Sequence, residues 1–324
     1  MMTIPKQQTA QESGNSNAAA SQPFLTHIAE QVTSGAVHEA MQNLFLWLRC
    51  QKIAHPKGQW SALASNCLEH PIATLLHQDP LTWRTFQKPK GYAGDATMLD
   101  LIYSMEDDRF LPSFANPMTE AVFRFTASAP ASRAVCARRR IIARLIDQVA
   151  EQKSYPRIMS IAAGHLREAA LSQAVLEGRI KELVALDQDE ESLATIKQAY
   201  GSYPVETRQG SVKSLLSPNL ELGRFDLVYA AGLFDYLSQR LAQRLTRAMF
   251  DLLHPGGQML VTNFVPLIPD IGYMESFMDW HLIYRTHDEM LDLAATIPAE
   301  NIGNLKLFTE PDQNLLFLQI TKKA

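Results

Sequence analysis

The chain has 324 residues, of which 46% are hydrophobic, with three cysteines and a formal net charge of −4. That apolar content supports cores in two compact units, the slightly acidic balance argues against a nucleic-acid partner, and no apolar run approaches the roughly eighteen residues that span a bilayer. Cys50, Cys67 and Cys136 are too scattered for a disulfide framework or a zinc site, and the histidines show no pair at ligand spacing, so no metal is expected.

Residues 1–22 are rich in Gln, Ser, Asn and Ala and lack the charged-then-apolar order of an export signal. They read as a disordered tail on a cytoplasmic protein. From 23 to 152 the pattern is helical, with apolar residues at helical spacing over Val37 to Lys52, Leu63 to Leu76 and Arg139 to Val149. Pro71, Pro80, Pro89, Pro112, Pro117 and Pro130 divide it into short pieces. The expectation is an all-helical cap domain that closes over a following α/β domain.

Within the cap, Lys88-Pro-Lys-Gly-Tyr-Ala-Gly-Asp95 places two glycines around Tyr92 and ends on an Asp that can cap a helix starting at Ala96. The loop reads either as a plain N-cap turn or as a lid that brings Tyr92 or Asp95 to a ligand. The basic run Arg138-Arg139-Arg140 reads as a solvated helix face.

Residues 153–324 carry a nucleotide-fold layout. An apolar run, Arg157 to Ala162, breaks at Ala163-Gly164 into a helix-like segment, and a second run, Leu183 to Leu186, ends on Asp187. A strand, a small-residue turn, a helix and an acidic residue closing the next strand is the arrangement that holds an adenosine ribose. The dinucleotide glycine fingerprint is absent, because Ala162 and Leu166 flank Gly164, so a pyrophosphate is not the expected ligand.

A short strand over Pro204 to Arg208 leads to Gly210-Ser211-Val212. A buried strand over Phe225 to Ala230 ends at Ala231-Gly232, an amphipathic helix runs from Gln239 to Leu253, and a fifth strand spans Gly257 to Phe264. Gly232-Leu-Phe-Asp-Tyr-Leu237 follows the fourth strand. Past the fifth, Tyr273 to Arg285 is rich in aromatic residues and places Trp280, Tyr284 and Arg285 on one helical face. Core packing and pocket lining are both open for that segment.

This order of elements resembles the class I S-adenosylmethionine-dependent methyltransferases. The resemblance implies an α/β Rossmann-like fold with a seven-stranded sheet behind the N-terminal helical cap. It assigns Ser160 to Glu168, including Ala162, Ala163 and Gly164, to the methionine end of S-adenosylmethionine, and Asp187 to the ribose. Gln188, Gly210, Ser211 and Val212 fall to the adenine, while Asp226 opens the fourth strand, whose end at Ala231 and Gly232 faces the sulfonium.

The motifs KPKGYAGD, SIAAGHLREAA, GLFDYL and DWHLIYR are similar to those of a bacterial subgroup with an N-terminal helical domain. That subgroup includes enzymes methylating 3-hydroxy fatty acids and azetidine-2-carboxylate synthases, which close S-adenosylmethionine on itself and release methylthioadenosine. It implies cofactor contacts at Glu168, Asp187, Asp95 and the Tyr92 loop.

Asp235, Tyr236, Tyr229 and Tyr284 are the available groups near the reacting centre, and none is a strong base. Tyr92, Phe234, Tyr236, Trp280 and Tyr284 can form an aromatic box for a sulfonium, Arg285 can clamp a carboxylate, and bulk at His165 and Leu166 can displace the methionine tail. This reading favours intramolecular cyclisation for natural-product biosynthesis. The alternatives are methyl transfer to a small carboxylic or hydroxy acid and cofactor binding without catalysis. The expected partner is a small molecule, with neither nucleic acid nor membrane.

Overall fold

The computed structural model describes residues 9–217 and 222–324. The chain divides into two compact units, Met1–Arg133 with Leu267–His281, and Ala134–Pro266 with Leu282–Ala324. The division falls inside a single long helix, Pro130–Gln152, and not at residue 152. It also splits the aromatic segment after the fifth strand, sending Leu267–His281 to the helical unit and leaving Tyr284 and Arg285 in the sheet unit.

The helical unit begins with Thr9–Thr33, so the expectation of disorder to residue 22 gives way to helix from Thr9 onward, where Leu25, Ile28 and Val32 bury an apolar edge. Residues 1–8 lie outside the described residues. The next helix, Val37–Ala54, buries Val37, Ala40, Met41, Leu44, Phe45 and Leu48, a three-and-four spacing that forms one stripe. The stretch expected as one helix over Leu63 to Leu76 is two, Lys57–Glu69 and Ile72–Leu76. Pro71 has no amide hydrogen to continue the ladder, and it restricts His70 to extended backbone.

Buried Asp79 caps Pro80–Gln87, accepting from the amides of Leu81 and Thr82 at 3.0 and 3.1 Å. The segment Ile271–Ser276 packs on Val37–Ala54 so closely that a Cβ at Gly272 would sit 2.6 Å from the Leu48 carbonyl carbon. Tyr273 stacks on Phe45 with centroids 4.4 Å apart and meets the Thr82 hydroxyl at 2.9 Å. Buried Glu275 accepts from Trp60 Nε1 at 2.8 Å and Lys52 Nζ at 2.5 Å. The first part of the aromatic segment, Tyr273 to Trp280, is thus core of the helical unit, while Tyr284 and Arg285 belong to the sheet unit.

The second unit is built on seven strands: β1 (Arg157–Ile161), β2 (Glu182–Asp187), β3 (Val205–Gln209), β4 (Phe225–Ala230), β5 (Leu253–Phe264), β6 (Ile302–Thr309) and β7 (Leu315–Lys322). Their order is β3-β2-β1-β4-β5-β7-β6, with β7 antiparallel to both neighbours and the remaining pairs parallel. β1, β2 and β4 are buried almost throughout, as expected of parallel strands covered on both faces. One core cluster joins Met159, Ile161, Val184, Leu186, Val228 and Ala230 to Leu245, Met249 and Phe250 of the helix Gln239–Asp251. β5 starts at Leu253, so His254-Pro-Gly-Gly257 is part of the strand instead of the turn before it. The order in which strands are added to the sheet reverses between β1 and β4, and the crevice at such a switch point is where open α/β sheets bind ligands.

Candidate functional site

The turn after β1 carries three left-handed residues in alternation: Ala162 at φ 52°, Gly164 at φ 55° and Leu166 at φ 53°. The backbone keeps a glycine-type path at two positions that have side chains, each costing about 1–2 kcal/mol. That path aims the Gly164 amide at Asp187, whose Oδ2 accepts it at 2.8 Å while Oδ1 accepts the Asp189 amide at 2.9 Å. The Ala163 amide donates to the Leu186 carbonyl at 3.1 Å and the Gly210 amide to the Asp187 carbonyl at 2.9 Å, so the ends of β1, β2 and β3 are tied at one point. Burial pushes the Asp187 carboxyl above its ordinary value, against the pull of those amides. A carboxylate presents about four lone-pair positions. The amides of Gly164 and Asp189 take two, and a vicinal diol can take further positions.

On the adenine side of the assignment, Gln188 is exposed and Gly210 is half-buried. A Cβ at Gly210 would lie 3.0 Å from Ser214 Oγ and 3.2 Å from Leu186 Cδ1. Ser211 closes a capping box with Ser214 at the start of Val212–Leu215, and Val212 packs against the core cluster. The Ser211 hydroxyl is therefore committed to the cap. Asp226 accepts the Arg157 amide at 3.0 Å at the opposite end of β4, away from the switch point.

At the ends of β1 and β4 a buried polar cluster forms. Tyr229 donates its hydroxyl to Glu168 Oε1 at 2.7 Å, with the Ser160 hydroxyl also bonded to the phenol. Burial raises the Glu168 carboxyl, opposed by that hydrogen bond and the charges of Arg138 and Arg139, and holds the Tyr229 phenol well above its ordinary value. Asp235 accepts the Phe264 amide at 2.8 Å and is pushed by burial up to about 6. Past β4, Ala231 accepts from the Thr262 hydroxyl, and Gly232 faces Arg138.

Arg138 and Arg139 are buried, while Arg140 is exposed, so the basic run is not a solvated face. Arg138 lies on the stripe Ala131, Val135, Arg138, Ile142 and Leu145, at steps of three and four, all buried. That periodicity was the available signal.

Several expected site residues have structural work. Arg285 is 1% exposed and spends its guanidinium on the Gln239 side chain at 2.8 Å, the Phe234 carbonyl at 2.7 Å, the Leu237 carbonyl at 2.6 Å and Asn263 Oδ1. It is not a carboxylate clamp. Residues 279–286 are not helical, so Trp280, Tyr284 and Arg285 do not share a helix face. Trp280 is buried in the helical unit, Tyr284 is half-buried in the sheet unit and Tyr236 is exposed. Phe234 is fully buried, and Leu166 is 1% exposed, turned into the core instead of toward a ligand.

In the helical unit, Asp95 caps Ala96–Tyr103 through the Met98 amide at 2.8 Å and holds Arg84 by two bonds of 2.9 Å. Asp95 is thus the N-cap of that helix, with Tyr92 half-buried beside it.

Residues 158–257 match the profile of a family described as a methyltransferase domain. The strand order around that segment decides the architecture. The sheet unit has the class I methyltransferase fold. Among solved structures, a possible exported protein from Bordetella parapertussis matches at 13% identity and TM-score 0.58, covering 99% of this chain and 100% of that one. The N-methyltransferase NodS from Bradyrhizobium japonicum, in complex with S-adenosyl-L-homocysteine, matches at 12% identity and TM-score 0.42, over 61% of this chain and 90% of that one. A TehB-like SAM-dependent methyltransferase from Corynebacterium glutamicum matches at 17% identity and TM-score 0.40, over 56% and 86%. No curated protein matches the chain. Among the described residues no group of three or more His, Cys, Asp or Glu is placed to hold a metal, and no helix is long and apolar enough to cross a membrane.

Proposed function

We propose that the chain is an S-adenosylmethionine-dependent methyltransferase acting on a small carboxylic or hydroxy acid. The observation that carries this reading is the Asp187 carboxylate, closing β2 and hydrogen-bonded to Gly164 across the turn after β1, in a domain that matches methyltransferases. When bound, S-adenosylmethionine supplies an electrophilic methyl group on sulfur. Asp187 would hold the ribose hydroxyls, the amides of the 162–168 turn would border the methionine end, and Gly210, where a Cβ would be tight against Ser214 and Leu186, would border the base through its backbone. Glu168, fixed by Tyr229, is the acid nearest in sequence to that turn and suits an α-ammonium group.

Acceptor chemistry follows from what the end of β4 offers. Asp235 is 2% exposed and bonded to the Phe264 amide, so its carboxyl presents almost no surface to an alcohol. A carboxylate acceptor needs alignment and no base.

Intramolecular cyclisation draws on the same electrophile, but two of its supports are lost, because Leu166 and Phe234 face the core and present no surface to a methionine tail or a sulfonium. Incubation with S-adenosylmethionine, alone and with a panel of short 3-hydroxy and simple carboxylic acids, separates the readings by mass spectrometry. S-adenosylhomocysteine appearing only with an acceptor is expected. Methylthioadenosine and a four-membered amino acid formed without acceptor would replace methyl transfer by cyclisation.

A further inference from the structure

We propose that Arg138 is the anion receiver of this site, its guanidinium taking a carboxylate at the turn after β4, from either the methionine moiety of the cofactor or the acceptor. The inference rests on the S-adenosylmethionine reading above.

Arg138 is 3% exposed, and both terminal nitrogens face the turn: a Cβ built on Gly232 would lie 3.3 Å from Nη1 and 3.5 Å from Nη2. The near-equal distances mean that the forked edge is the part presented, and the missing side chain at 232 is what leaves it accessible. Arg285 offers the contrast, since its fork is consumed by carbonyls and side-chain amides. Among the described residues nothing accepts a hydrogen bond from Arg138.

The two acids that feel its charge are engaged elsewhere, Glu168 with Tyr229 and Asp235 with the Phe264 amide. A guanidinium stays charged at any physiological pH, and burying it without a hydrogen-bonded partner is costly. A carboxylate seated on the fork would satisfy it with two parallel hydrogen bonds.

Calorimetry on wild type, Arg138→Lys and Arg138→Gln tests this with S-adenosylhomocysteine and with 5′-methylthioadenosine, which has no amino-acid end. Methylthioadenosine should bind all three proteins alike, showing an intact adenosine site. If the cofactor supplies the carboxylate, S-adenosylhomocysteine weakens about 10-fold or more in both variants. If the acceptor supplies it, S-adenosylhomocysteine is unaffected, and 3-hydroxyoctanoate titrated into the saturated protein weakens by a similar factor while its amide is indifferent to the substitution. Wild-type affinity of both variants for S-adenosylhomocysteine, with the hydroxy acid unaffected by substitution or failing to bind, overturns the proposal. So does an equal loss of methylthioadenosine, which would mark Arg138 as a purely structural counterion. A folded wild type that binds neither adenosyl ligand would instead refute the cofactor reading itself.

Discussion

Replacing Arg285 by Met should unfold the sheet unit locally before it alters any ligand contact. The side chain is buried and bridges the Phe234 and Leu237 carbonyls, Asn263 and Gln239, so it pins the turn after β4 to the end of β5. Removing it leaves the Leu237 carbonyl and the Asn263 amide oxygen without a donor, at about 1–3 kcal/mol each before relaxation, while the Phe234 carbonyl keeps only the Leu237 amide. It also removes a positive charge that lowers the Asp235 pKa. A net loss of about 3–5 kcal/mol is expected, a large part of the ~5–15 kcal/mol of a typical domain. Arg285→Lys keeps the charge but not the fork and should fall between.

The assay must look at the correct unit. The four tryptophans, Trp47, Trp60, Trp83 and Trp280, all lie in the helical unit, so their fluorescence is blind to this change. Hydrogen exchange read by mass spectrometry over β4, β5 and residues 282–286, at rising urea, reports it directly. The amides of Phe264 and Ile283, bonded to Asp235 and its carbonyl, should lose protection first. Unchanged exchange with impaired turnover would refute the structural role and restore Arg285 as a ligand-binding group.

Three further outcomes follow. Asp235 is shifted from 3.8 to about 6, so the native state binds a proton that the unfolded chain has already released across that window, and stability falls as pH rises through it. Asp235→Asn, which keeps an acceptor for the Phe264 amide, should remove that slope and gain about 1–3 kcal/mol at pH 7; an unaltered slope in urea titrations at pH 4 to 7 would contradict it. Asp270, pushed to about 6 by burial while accepting the Ala131 amide at 2.7 Å, should behave the same way in the helical unit, where tryptophan fluorescence is the readout. At exposed Ala162, Ala162→Val should cost about 1–2 kcal/mol because a β-branched residue resists the left-handed backbone, whereas Ala162→Gly should be near neutral; equal melting temperatures for the Val and Gly variants would remove strain from the description of this turn.

Much of the sheet was legible because β1, β2 and β4 are buried on both faces and read as short apolar runs closed by small or acidic residues. The antiparallel pair β6 and β7 was not located, since β6 mixes half-buried and exposed positions with no buried residue and β7 carries no distinguishing turn. Asp187 and Gly164 were legible as a spacing, but their hydrogen bond was not.

The site is hardest to read where one residue type serves two environments. Aromatic residues at 273–280 look alike whether they line a pocket or fill a core, and only partners about 200 residues earlier in the chain, Phe45 and Thr82 against Tyr273 and Trp60 against Glu275, decide it. Arg285 carried no local sign that four acceptors from the turn after β4, the helix Gln239–Asp251 and β5 would converge on it. Arg138 did carry one, its place on an apolar stripe, which the neighbouring Arg139 and Arg140 obscured.

The most direct test of adenosyl binding at Asp187 is a calorimetric titration of S-adenosylhomocysteine into the wild type and Asp187→Ala. Two hydroxyl contacts to a carboxylate at that position predict saturable binding by the wild type and a loss of roughly 10- to 100-fold in the variant. No heat from folded wild-type protein, or equal affinity in the two proteins, would contradict it.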